Sequence, residues 1–324
     1  MNPSLPNPQL ATSHGRRDFL RRSGLAAFTA AMAPLALGSL GSIFSPSRAE
    51  GATLTDADIL NFALNLEYLE GEYYTKAVFG QTLADAGVAT DGTGRAGGTI
   101  YPVTEKVDFQ DPRLLSLATE IALDEQQHIK FIRSQLGNAA VAKPSIDLAS
   151  AFNASAQAAG IANTFDPYAS EAAFLLGALT LTDVGVTAYI GSSALIQSKV
   201  VLGAAGGILA TEAYHSATLR TSLYAINYTD PSQFYGQAVN KISDLRDSFD
   251  GPRDLDQGIT NADGTSNIVP ADGSSVVYAR TAAQVLNIVY ARAGATAGGF
   301  FPNGVNGNIN AGTTQFGAPT GATA

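Results

Sequence analysis

The chain has 324 residues, 15% of them charged and 45% hydrophobic, with no cysteine and three histidines. That length supports a full-sized core in one or two domains, while the lack of cysteine excludes a disulfide framework, a thiolate zinc site, an iron–sulfur cluster and a cysteine nucleophile. A formal charge of −9, with no Lys/Arg cluster beyond the first fifty residues, argues against a nucleic-acid partner.

Residues 1–50 read as a targeting segment. Gly15-Arg16-Arg17-Asp18-Phe19-Leu20 precedes an uncharged, Ala- and Gly-rich run from Gly24 to Phe44, and Ser47-Arg48-Ala49 offers a small-x-small cleavage site. The arginine pair followed by x-Phe-Leu resembles the twin-arginine export signal. That resemblance implies export of an already folded protein to the periplasm or beyond, with no membrane span left after processing. Removing five Arg and Asp18 leaves 14 basic and 27 acidic residues, a mature charge of −13.

From Thr55 the pattern turns helical. Ile59, Phe62, Ala63, Leu66, Leu69 and Tyr73 recur at three- and four-residue spacing, which predicts a first helix from about Asp56 to Phe79. A long Gly-rich connection from Gly80 to Gln110 follows, with a strand-like piece around Thr99 to Val103. Asp111-Pro112 is a cap-plus-proline start for a second helix ending near Gly137. Asp166-Pro167 repeats that start before a third, strongly apolar helix over Ala172 to Ile190. A fourth spans about Ile196 to Ile226, where Gly203, Gly206 and Gly207 suggest close helix packing. Beyond Asn227 the chain reads as loops, with Asp250, Asp254 and Asp256 in a solvated stretch that lacks calcium-loop spacing. A shorter helix is predicted over Thr281 to Ala293. The fold class is therefore all-α, an antiparallel four-helix bundle with a fifth shorter helix and long loops. Its bundle occupies residues 51–230 and its loop-rich extension 231–324.

His14 falls in the targeting segment, so the mature chain keeps His128 and His215. Each follows a glutamate by three residues, in Glu125-Gln126-Gln127-His128 and Glu212-Ala213-Tyr214-His215. That spacing puts both side chains on one helical face. With about 3% Glu in the mature chain, chance would place both histidines so in roughly one sequence in a thousand. A pair of iron or manganese ions wants about four carboxylates and two imidazoles from facing helices. The two turns supply both imidazoles and half the carboxylates. Helix 1 offers Glu67, Glu70 and Glu72; Glu67 and Glu70 share a face, and Glu72 points towards solvent. Asp183 lies inside the most apolar helix, where an unpaired carboxylate would be costly, and a metal is the simplest partner.

These residues resemble the ferritin-like superfamily, in the branch related to plant desiccation-related proteins. The matching stretches are Leu60 to Glu70, Asp124 to His128, Asp183 to Tyr189, Glu212 to His215, and Gly298-Gly299-Phe300-Phe301-Pro302-Asn303-Gly304. The resemblance implies a di-iron or iron–manganese site with Glu67, Glu125, His128, Asp183, Glu212 and His215 as ligands. Glu67 followed by Tyr74 matches the family spacing and favours Glu67 over Glu70. Helix 3 departs from the pattern, with Thr182-Asp183 where a Glu is expected. Tyr73, Tyr74, Tyr189 and Tyr214 read as core, with Tyr74 and Tyr189 as candidate donors at the site. The implied chemistry is with dioxygen or peroxide and a reductant the sequence does not name, in a monomer or dimer acting in stress protection. The alternative is a metal-free desiccation or envelope-stress protein.

Overall fold

The computed structural model describes residues 54–230 and 235–315. The expected targeting segment, residues 1–50, and its expected cleavage site lie outside the described residues.

Helix α1 (Asp56–Phe79) opens on a reciprocal capping box, the Asp58 amide donating to Thr55 Oγ1 and the Thr55 amide to Asp58 Oδ2. It ends at Gly80, whose φ of 69° is the left-handed conformation that caps a helix C-terminus. The Gly-rich connection then carries β1 (Thr99–Ile100), paired in parallel with β2 (Ile146–Asp147). Between these strands runs α2 (Pro112–Leu136), started by Asp111 accepting from the Arg113 amide with Pro112 at its first position. A short α3 (Ser150–Ala158) follows, and then α4 (Glu171–Ser193) and α5 (Lys199–Thr229). The last two helices are α6 (Tyr235–Asp250) and α7 (Ala282–Val289).

The bundle is antiparallel and consists of α1, α2, α4 and α5. Helix α1 packs on α2, α4 packs on α5, and α1 against α4 joins the pairs. Nearly every residue of α1 from Ile59 to Val78 is buried, polar ones included. A helix enclosed on all sides needs no single apolar stripe. Helix α4 is long and apolar enough to span a bilayer, yet 83% of its apolar window is buried within the protein.

Several expectations are corrected. Helix α4 starts at Ser170, whose hydroxyl accepts from the Ala173 amide, and not at Asp166, which instead accepts from the Thr104 amide and hydroxyl across the Gly-rich loop. Gly203, Gly206 and Gly207 face open space, so they make no close helix contact. Glu72 is buried, 3.1 Å from Lys143 Nζ and accepting from Tyr101 Oη and the Leu83 amide. Tyr214 is 76% exposed and lies outside the core. After Asp230 the chain holds two helices among the described residues, α6 as well as the expected α7.

Of the acidic residues expected in a solvated stretch, Asp254 is exposed but the other two are not. Asp250 and Asp256 are buried in ion pairs, Asp250 with Arg280 Nε at 2.5 Å and Asp256 with Arg246 Nε at 2.5 Å and Arg280 Nη2 at 3.2 Å. The Arg280 amide donates to the Thr187 carbonyl of α4 at 3.1 Å. That close approach requires Gly191, where a Cβ would lie 2.7 Å from the Arg280 carbonyl carbon. The C-terminal tail is tied to α1 by a reciprocal pair: the Asn306 amide donates to Asn65 Oδ1 and Asn65 Nδ2 to the Asn306 carbonyl.

Candidate metal centre

Six side chains from three bundle helices converge in the interior: Glu67 and Glu70 from α1, Glu125 and His128 from α2, Glu212 and His215 from α5. All six are buried. His128 Nδ1 lies 3.2 Å from Glu67 Oε2, 3.6 Å from Glu125 Oε2 and 3.2 Å from Glu212 Oε1. His215 Nδ1 lies 3.0 Å from Glu125 Oε1 and 3.9 Å from Glu212 Oε2. Glu125 and Glu212 therefore each turn one oxygen to one imidazole and the second oxygen to the other.

These contacts are close but badly directed for hydrogen bonding. Glu67 Oε2, both oxygens of Glu125, both of Glu212, and the Nδ1 atoms of both histidines are buried with no hydrogen-bond partner. Buried polar atoms are ordinarily paired, and each unpaired one is costly. One atom of each of Glu67, Glu125, His128 and Glu212 falls within 4.8 Å of all the others, close enough to share one ion. Hard oxygen donors mixed with imidazole suit iron or manganese. The donor set and the orphaned atoms thus fit a transition-metal site.

Asp183 is placed differently from the expectation. Its Oδ2 takes Arg220 Nη1 at 2.8 Å and Arg246 Nη2 at 3.4 Å, and its Oδ1 accepts from Ser216 Oγ at 2.6 Å. Both oxygens are occupied by fixed donors, and Asp183 does not join the cluster. Asp183 has the partners that its burial requires, but they are arginines and a serine hydroxyl where a metal was expected. Glu70 instead turns towards the site: Thr182 Oγ1 donates to its Oε1 at 2.7 Å and Tyr74 Oη lies 2.8 Å from the same hydroxyl. Tyr189 Oη donates to Glu67 Oε1.

The family model described as "Ferritin-like domain" matches residues 55–225, the stretch from the first capping residue to the last turn of α5. This chain belongs to the ferritin-like domain family. It is similar to desiccation-related protein PCC13-62 of Craterostigma plantagineum, 29% identical over 242 residues that cover 70% of this chain and 75% of that one. It is also similar to the ferritin-like catalase Nec2 of Nesocodon mauritianus, 26% identical over 274 residues, covering 80% and 86%. No solved structure matches it.

The electrostatics of this ferritin-like core are those of a cation site. Burial pushes the Glu67 carboxyl up to about 8 against the pull of His128. Burial, followed by the charges of Glu212 and Glu125, pushes Glu70 well above the usual carboxylate range. Burial acts the same way on Glu125, but the close approach of both imidazoles outweighs it and brings that carboxyl down to about 2. Burial disfavours charge on the imidazoles, yet the surrounding carboxylates override it, raising His128 strongly and His215 to about 12. Four buried carboxylates gathered around two imidazoles favour positive charge at the centre.

Sequence reasoning passed over Asp124, whose Oδ2 lies 3.3 Å from His215 Nε2. A carboxylate on the outer nitrogen of a ligating histidine fixes its orientation. The signal available was the acidic residue immediately before Glu125, which alone does not distinguish a solvated side chain from a partner.

Proposed function

We propose that this chain is an exported metalloprotein whose buried centre holds two transition-metal ions, iron or manganese, and acts on dioxygen, peroxide or ferrous iron in protection against stress. The observation that carries the reading is the set of seven orphaned buried atoms on Glu67, Glu125, His128, Glu212 and His215. The name of the catalase relative favours peroxide as the substrate.

Bound by such residues, redox metal ions supply the one-electron steps that oxygen and peroxide chemistry needs. The protein's own part is to orient and to exclude water. Tyr189 donates to Glu67 Oε1 and so leaves Oε2 directed at the centre. Tyr74 acts through Thr182 on Glu70. With phenol pKa values held well above the usual by burial, both tyrosines remain protonated donors. Asp124 Oδ2, 3.3 Å from His215 Nε2, holds the ring with Nδ1 facing the centre.

The arginine pair Arg16-Arg17 and the small-residue site at Ala49 support export by the twin-arginine route, to the periplasm or outside the cell. The acidic mature chain disfavours nucleic acid, and a monomer or dimer suits its long loops. The second reading, a metal-free desiccation protein, is favoured by the name of the other relative. Oxygen evolution from hydrogen peroxide and anaerobically started Fe(II) oxidation, measured on metal-loaded protein, decide between them. Turnover that is lost in Glu125→Gln supports the redox reading; no turnover in either assay with a loaded centre would overturn it.

A further inference from the structure

We propose that Glu70 is the terminal carboxylate of the second metal position, so that α1 alone supplies both terminal carboxylates and α4 supplies none. The inference deepens the metal-site reading above and rests on it.

The pairing of oxygens with imidazoles divides the cluster into two halves. Glu125 and Glu212 serve both halves, since each has one oxygen on either histidine. Glu67 completes the His128 half. Asp124 sits on the outer nitrogen of His215, so on the inner, Nδ1 side the His215 half has no carboxylate of its own unless Glu70 provides it. Gly185 of α4 locates Glu70 there: a Cβ on that glycine would lie 3.0 Å from Glu70 Oε2 and 3.8 Å from Glu212 Oε2. The latter oxygen is the one that faces His215. Glu70 Oε2 and Glu212 Oε2 therefore border the same small space, left open because position 185 has no side chain.

The other oxygen of Glu70 is fixed from α4. Thr182 donates to Oε1 and is in turn bonded to Tyr74 Oη, so the carboxylate is held with Oε2 inward. Asp183 cannot perform this role while Arg220, Arg246 and Ser216 occupy it. Thr182 and Gly185, three residues apart on one face of α4, thus form a seat for a carboxylate arriving from α1. Residues 67 and 70 lie one helical turn apart, which lets one rigid element set both halves of the site.

The test uses the full mature chain, stripped with chelator and reloaded anaerobically with Mn(II). Metal is counted by mass spectrometry, and paramagnetic resonance distinguishes coupled from isolated ions. Wild type is expected to hold about two ions with a coupled signal. Glu70→Gln is expected to hold about one, with the six-line signal of an isolated Mn(II). Gly185→Ala keeps every donor but crowds Glu70 Oε2, and should weaken the second ion about tenfold while leaving the first unchanged. The pair Glu70→Ala with Thr182→Glu returns a carboxylate from position 182, whose present hydroxyl lies 2.7 Å from Glu70 Oε1, and should restore the second ion. Two ions in Glu70→Gln would overturn the proposal and leave the metal reading standing, whereas a single ion in wild type would overturn the two-ion reading along with it. No ion in wild type would overturn the metal reading itself.

Discussion

Asp183 decides between two roles for the most polar position in the most apolar helix, and its partner Arg220 can be removed to separate them. Arg220 Nη1 donates to Asp183 Oδ2 at 2.8 Å, and Nη2 serves the carbonyls of Gln257, Gly258 and Asn267 at 3.1, 2.6 and 2.9 Å. Arg220→Met leaves Asp183 buried with Ser216 and a longer contact to Arg246, and takes the Arg220 donor from three carbonyls of the C-terminal loop, of which Gly258 keeps Asn267 Nδ2 at 3.1 Å. Removing one member of a buried ion pair costs about 3–5 kcal/mol. Ser216 and Arg246 retain part of the compensation, and the carbonyls lie where water can reach them, so the lower end applies, about 3 kcal/mol. In a domain of this size each kcal/mol lowers Tm by roughly 2–4 °C, giving a fall of about 6–12 °C. Circular dichroism melts would measure it, with metal content determined on the same samples. Asp183→Asn should fall by a similar amount, and both variants should keep the wild-type metal content. A fall below about 2 °C in Arg220→Met, or a folded Asp183→Asn that has lost metal, would refute the assignment.

Three further outcomes are expected. Gly191→Ala sets a Cβ against the Arg280 backbone and should cost about 3 kcal/mol, the upper end of the usual overpacking range, with the 251–281 loop becoming the first site of proteolysis, because a backbone clash has no side chain to swing aside. Asp247 is pushed up to about 7, chiefly by burial, from an ordinary carboxylate value. The folded protein therefore holds a proton there that the unfolded chain releases, so this group's contribution is fully present below about pH 4 and is lost as pH rises through 7. Asp247→Asn should flatten the fall of Tm between pH 5 and 8, and an unchanged slope would remove Asp247 from the account. Asp124→Asn should weaken metal binding about 10- to 100-fold with little change in Tm of the chelated protein; titration with Co(II) followed by its visible absorption measures the affinity, and equal affinities would show that Asp124 does not support His215.

The parts of the site written within one helix were legible in the sequence. Glu125 with His128 and Glu212 with His215 lie one turn apart, so the three-residue spacing states their common face without knowledge of the fold. The cap at Thr55 and the start at Asp111-Pro112 were legible for the same reason, since capping is local. The partner of Asp183 was not, because it comes from Arg220 and Arg246, residues far along the chain of a type that is ordinarily exposed. Glu72 was misread for the same cause: its burial depends on Lys143 and Tyr101 reaching it from the Gly-rich loop and beyond. Helix α3 begins at Ala149 with no side-chain cap, its start secured instead by Asp147 accepting from the Ala149 and Ser150 amides. Helix α6 carries Val239, Ile242 and Phe249 at helical spacing, but its Gly, Asn, Ser and Asp residues dilute the pattern below what reads as a helix. The role of Gly185 is invisible in one dimension, because a glycine that makes room for a side chain on another helix leaves no local trace.

The central claim is that the orphaned carboxylates and imidazoles hold metal, and elemental analysis of protein isolated from its native cells tests it most directly. The expected result is about two transition-metal ions per chain in wild type and none in the pair His128→Ala with His215→Ala, at equal folded content. A wild-type chain that carries no transition metal, and takes up none when Fe(II) or Mn(II) is supplied without oxygen, would contradict it.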